Sequence, residues 1–186
     1  AYSGLIVNCL FSYNYSAGNG GALYLLGPSV EIINCTIAQN TASYNGGAIY
    51  NDWYRFGTPS REVKNCIIWG NSSISYPASP TCEIYNSPVP SGPPESNTGA
   101  VAVYYSDVRY IGSYGAISQN NIDADPLFVS GDYTLSQLSP CIDKGDQTLL
   151  PDGVETDAVG NPRVVDSGAR LLETPLQLHD APPAIE

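Results

Sequence analysis

Apolar and polar residues alternate in short runs along the first part of the chain. In residues 30–37, Val30 and Ile32 fall on one parity and Cys35 and Ile37 on the other, with polar side chains between them. Period two over so few residues, broken by Asn or Gly, predicts short strands and not helices. The phase slips by one at Asn34, which would turn the next strand inside out unless the chain bends there. Asn tolerates the left-handed conformation that such a bend needs, and Gly46-Gly47 supplies a second bend for the same steric reason.

The bends recur. Asn8-Cys9, Asn14 and Gly20-Gly21 are each matched 26 residues later by Asn34-Cys35, Asn40 and Gly46-Gly47. Asn65-Cys66 and Asn71 keep the internal spacing but arrive 31 residues after the second copy. The extra residues lie in "DWYRFGTPSRE", whose Gly57 and Pro59 mark an enlarged loop. Insertion at one point of an otherwise intact repeat is how a solenoid adds loops to one side. Each copy therefore supplies about three short strands, and stacking the copies predicts three parallel sheets around one apolar interior. Asn would lie over Asn, each amide bonding the next, and Cys over Cys as packed free thiols. Cys82 and Cys141 fall outside the repeat, where pairing is open.

Residues 1–76 thus form the regular coils. Residues 77–98 begin with a stretch holding six prolines, which cannot donate to a strand ladder, and read as a lateral loop. Residues 99–170 hold a further strand pair in "GAVAVYYSDVRYI" and two strands, Leu127–Val129 and Tyr133–Leu135, joined by a Ser-Gly-Asp turn. Residues 171–186 read as an extended, Leu- and Pro-rich tail.

The Asn-Cys, Asn and Gly-Gly-Ala repeats, followed by "NIDADPLFVSGDYTLSQLSPCIDKGD" and "TDAVGNPRVVDSGA", resemble the secreted bacterial right-handed parallel β-helix repeat proteins with a choice-of-anchor-type C-terminal region. The resemblance covers roughly residues 4–169. It implies an all-β, right-handed parallel β-helix with a β-rich closing segment, on an extracellular or cell-surface protein. Such solenoids host lyases, hydrolases, adhesins and structural rods, so the fold alone does not choose among functions.

Composition narrows the choice. Eighteen acids against seven bases give a net charge of −11, which argues against nucleic acid or an anionic membrane as partner. No run approaches the roughly 18 apolar residues of a membrane span. The chain opens inside a repeat and holds no Met, which points to a processed product or a piece of something longer.

Catalysis lacks its parts. A pectin-lyase-like site needs an exposed Arg or Lys base beside a carboxylate-bound calcium, and the candidates are Arg55, Arg61, Lys64 and Arg109. A hydrolase needs convergent carboxylates, but residues 1–76 hold only Asp52, Glu31 and Glu62. The single His, His179, lies in the tail. The expected protein is therefore not an enzyme.

Two binding chemistries stay open. The acid-rich loops after residue 122 include Asp143, Asp146, Asp152 and Asp157, oxygen donors suited to calcium, but their spacing matches no calcium loop signature and turn-forming and capping roles are favoured. Trp53, Tyr54 and Trp69, near the inserted loop, are candidates for stacking on sugars, and Tyr24 and Tyr50 repeat at the coil spacing as sheet-covering aromatics. Asn14, Asn34 and Asn71 fit the N-glycosylation pattern but occupy repeat positions where a ladder role is expected. The function expected is a structural or adhesive surface module that self-associates head-to-tail through its open strand edges or tail. The alternative is a carbohydrate-binding, non-catalytic part of a polysaccharide-degrading enzyme.

Overall fold

The computed structural model describes residues 4–26, 29–52, 61–77, 79–87, 99–113, 118–130 and 133–156. Trp53, Tyr54, Arg55, Asp157 and the tail lie outside the described residues.

The described chain is a parallel β-helix. One sheet stacks β1 (Gly4–Val7), β5 (Val30–Ile33), β9 (Arg61–Lys64), β13 (Ala102–Tyr104) and β15 (Ser118–Gln119). A second stacks β2 (Leu10–Ser12), β6 (Thr36–Ala38), β10 (Ile67–Trp69) and β14 (Asp107–Val108). A third holds β3 (Tyr15–Ser16), β7 (Thr41–Ala42) and β11 (Ser72–Ser73), and a fourth β4 (Leu23–Leu26), β8 (Ile49–Asp52) and β12 (Ile84–Asn86). Every pairing between these strands is parallel.

Each full coil has four strands, where the sequence pattern predicts three. The added corner sits just before the inward Asn: Tyr13, Gln39 and Gly70 have φ of 54°, 58° and 71°. Asn14, Asn40 and Asn71 are thus inward rungs after a corner and not corners themselves. The Asn-Cys bend is as expected, with φ of 56°, 55° and 51° at Asn8, Asn34 and Asn65. Gly46 makes the next corner at φ 64°. Gly47 answers a different need, since a Cβ there would lie 2.3 Å from the Ser72 carbonyl oxygen of the coil below.

Register carries the core. Ile6, Ile32, Val63 and Val103 align on the first sheet, Phe11, Ile37, Ile68 and Val108 on the second, and Leu23, Ile49 and Ile84 on the fourth. These columns, with Cys35, Cys66 and Val101, form one interior cluster. β12 falls inside the span read as a lateral loop. Its Ile84-Tyr85-Asn86 pairs residue for residue with Ile49-Tyr50-Asn51, so the third coil closes within the Pro-rich stretch.

The last described residues cover a side of the solenoid. Phe128 and Leu135 make the expected antiparallel contact as an isolated bridge. Leu135 and Cys141 are buried against Ile67, with Phe128, Ile122, Ile142 and Trp69 packed around them. This second small core lies on the outer face of the second sheet, because Ile67 and Trp69 point away from the inward Ile68. From there the chain runs back along the Asn corners: Asn65 donates to the Asp146 carbonyl and accepts from its N–H, both at 2.8 Å, and Asn8 donates to the Thr156 carbonyl at 2.8 Å.

Candidate functional site

The repeated polar residues build ladders. Asn14 donates its N–H and side-chain amide to Oδ1 of Asn40, each at 2.9 Å, and Asn40 does the same to Asn71. The polarity never reverses, so each rung's oxygen serves the coil before it. Asn71 then donates both groups to Oε2 of Glu83, at 2.6 Å from the side chain and 3.4 Å from the backbone. Glu83 thus occupies the place of a fourth Asn.

The thiols obey a similar rule. Cys9 N–H donates to Sγ of Cys35 and Cys35 N–H to Sγ of Cys66, while each thiol donates to the carbonyl two residues back, at 3.1–3.2 Å. The column continues with different chemistry: Cys66 N–H donates to Ser106 Oγ at 3.0 Å and Ser106 N–H to Asn121 Oδ1 at 2.8 Å. Ser106 and Asn121 were not singled out by the repeat spacing. The signal was present in "YYSDV" and "QNNID", since Tyr105 and Asn120 repeat the corner with φ of 49° and 55°. All five cysteines are free thiols. Cys82 donates to the Tyr76 carbonyl and Cys141 to Asp107 Oδ2, at 3.2 and 3.0 Å, so each has its own partner in a separate part of the fold.

The basic candidates are held by local partners. Arg61 is 1% exposed, donates to Asn51 Oδ1 and to the Asp52 carbonyl, and burial lowers its pKa. Lys64 bridges Glu31 at 3.0 Å and Glu62 at 2.5 Å on the outer face of the first sheet. Burial alone would lower its pKa, but those two carboxylates outweigh it and hold the ammonium above its ordinary value. Arg109 lies over the rings of Trp69 and Tyr110, with its guanidinium carbon 5.8 and 4.7 Å from their centroids.

The aromatic candidates divide. Trp69 packs against the second core beneath Arg109. Tyr24 and Tyr50 do stack on the fourth sheet, joined by Tyr85, with centroids 4.9 and 5.3 Å apart. Rings stacked on one another spend their faces internally and present mainly edges, as expected of a sheet-covering row.

Of the acidic candidates, Asp146 caps a short 3-10 turn (Gln147–Leu149), and hydrogen bonds from the Thr148 hydroxyl and N–H hold its carboxyl below the ordinary range. Asp143 is an exposed corner at φ 59° and Asp152 is exposed in a turn. Among the described residues no group of three or more His, Cys, Asp or Glu is placed to hold a metal ion. Of the three glycosylation-pattern residues, Asn14 and Asn71 are rungs of the ladder, whereas Asn34 is buried at its corner with both side-chain amide atoms unpartnered among the described residues, so the ladder expected there does not form.

What remains outward differs between coils. Leu5, Leu10, Tyr15 and Leu26 of the first coil are 45–63% exposed, and the residues paired with them in the second coil are Glu31, Thr36, Thr41 and Asp52. The first coil therefore carries a rim of large apolar side chains on all four sheets.

Fold and ladders together define a parallel β-helix repeat protein. A model of the Chlamydia polymorphic membrane protein repeat matches residues 8–25 and 34–52, each segment running from the Asn corner of one coil into its fourth strand. No curated protein and no solved structure gives a match. Among the described residues no helix is long and apolar enough to cross a membrane.

Proposed function

We propose that this chain is a non-catalytic, cell-surface or extracellular β-solenoid module that adheres through its outward side chains. The observation that carries this reading is the division of labour between coils. The repeated Asn40, Asn71, Cys35 and Cys66 are spent inside the stack, and what varies is the outer face, where the first coil replaces Glu, Thr and Asp by Leu and Tyr. Exposed apolar groups in such a rim mark interaction surfaces more often than chance. The similarity of the first two coils to a repeat of a bacterial membrane protein supports placement at the cell surface.

Three experiments test it. Antibody against the folded chain labels intact producing cells and the label is lost on mild protease treatment; label seen only after permeabilisation contradicts the surface assignment. Beads coated with the chain bind cells or matrix saturably, and the Leu5→Ser, Leu26→Asn double variant loses most of that binding while keeping its melting temperature. The same reading includes head-to-tail self-association by strand addition, through the solenoid ends or the tail. Monodisperse monomer in light scattering at high concentration contradicts that part of the reading.

A further inference from the structure

We propose that Glu83 is a proton-held plug: its neutral carboxyl closes the asparagine ladder and fixes the segment around it against the second coil, and loss of the proton loosens that segment. Three structural observations converge. First, the ladder arrives with a fixed polarity, so its last rung needs only an acceptor, and Oε2 of Glu83 supplies it to both donors of Asn71. Second, Glu83 is 0% exposed, and its other oxygen, Oε1, has no hydrogen-bond partner among the described residues. A neutral carboxyl places its hydroxyl there at modest cost, whereas a carboxylate would bury charge on an oxygen without donors. Third, the backbone around it is a load path, since the carbonyls of Thr81, Cys82 and Glu83 accept from Gly46, Ala48 and Ile49 at 3.0, 3.1 and 2.9 Å.

Burial lifts the Glu83 carboxyl to about 8, outweighing the hydrogen bonds from Asn71, the field of Arg109 from the turn after β14 and the Gly70 backbone, all of which favour the carboxylate. Asn40 and Asn71 of the ladder and Ile49 of β8 do not titrate. On its own segment the Cys82 thiol is committed to Tyr76 and Tyr85 to the outer ring stack. A Gln or Asn would accept from Asn71 equally well, so what glutamate adds at this position is a proton that can leave.

The device sets a pH dependence with a definite sign. The closed form binds a proton that the opened form has already lost above the ordinary carboxyl value, so opening becomes easier as pH rises toward about 8. Amide exchange of Gly46, Ala48 and Ile49 in the full chain, corrected for the intrinsic rate, reads the opening. Between about pH 6 and 8 the opening constant of the wild type should rise on the order of a hundredfold, tenfold per unit, and that of Glu83→Gln should stay flat. Parallel profiles in the two proteins overturn the proposal. Should Glu83→Gln fail to fold, carbon-detected titration of the wild-type carboxyl decides: a midpoint well above the ordinary carboxylate range supports the plug, and one within it overturns it.

Discussion

At the scale of single residues, the fold depends on polar side chains acting as backbone partners. Asn40 satisfies two donors above it and is itself bound below, while its Nδ2 also reaches the Phe11 and Ala38 carbonyls at 3.0 and 3.1 Å. Asn40→Ala strands those groups in the interior and should cost roughly 2–4 kcal/mol in chemical denaturation. Cys66→Ser should be far milder, within about 1 kcal/mol, because the next rung, Ser106, already performs the same two bonds with a hydroxyl. Asp107 adds a titration. Buried and holding the Cys141 thiol and the Ala124 N–H, it has its carboxyl pushed up to about 6 by burial. The folded state then keeps a proton that the unfolded chain loses, so this contribution is complete below about pH 4 and declines as pH rises to about 6. Asp107→Asn should flatten the stability profile in that window, and an unchanged slope would show that Asp107 titrates elsewhere.

At the scale of elements, close approach between coils is set by glycine where strands are shortest. Gly47→Ala drives a Cβ into the Ser72 backbone and should cost about 3 kcal/mol or prevent folding; Gly112→Ala, with nothing within 4 Å, should be near neutral in the same thermal melts. These contacts also explain what was legible. The Asn-Cys corner stood out because the left-handed conformation favours few residue types, and Asn and Gly announce it. Tyr13 and Gln39 adopt it too but carry no such signature, so their corner, and the two-residue strands that follow, escaped a period-two reading. β12 was masked by flanking prolines although "IYN" repeats letter for letter from β8. Ile67-Ile68-Trp69 is a continuous apolar run, the mark of a strand covered on both faces, and it could have foretold the second core. That the covering elements come from residues 122–142 is a long-range matter no local pattern contains.

At the scale of the molecule, the solenoid separates stability from contact with the outside. Ladders and inward columns repeat, so a coil tolerates change on its outer positions without disturbing the stack. The C-terminal elements add a side brace, binding Asn65 and Asn8 at the third and first coils by way of Asp146 and Thr156. Asn65→Ala should release that brace locally, seen as faster protease cleavage near residues 146–150 with little change in the core.

The most direct test of the stacked architecture is native-state thiol labelling resolved by peptide mass. Cys9 is partly exposed on the first coil, whereas Cys35, Cys66, Cys82 and Cys141 are buried. The in-register stack requires Cys9 to label first and Cys35 and Cys66 to label only at the rate of coil or global opening, all as free thiols. Labelling of Cys35 and Cys66 as fast as Cys9, or their recovery as a disulfide, would contradict it.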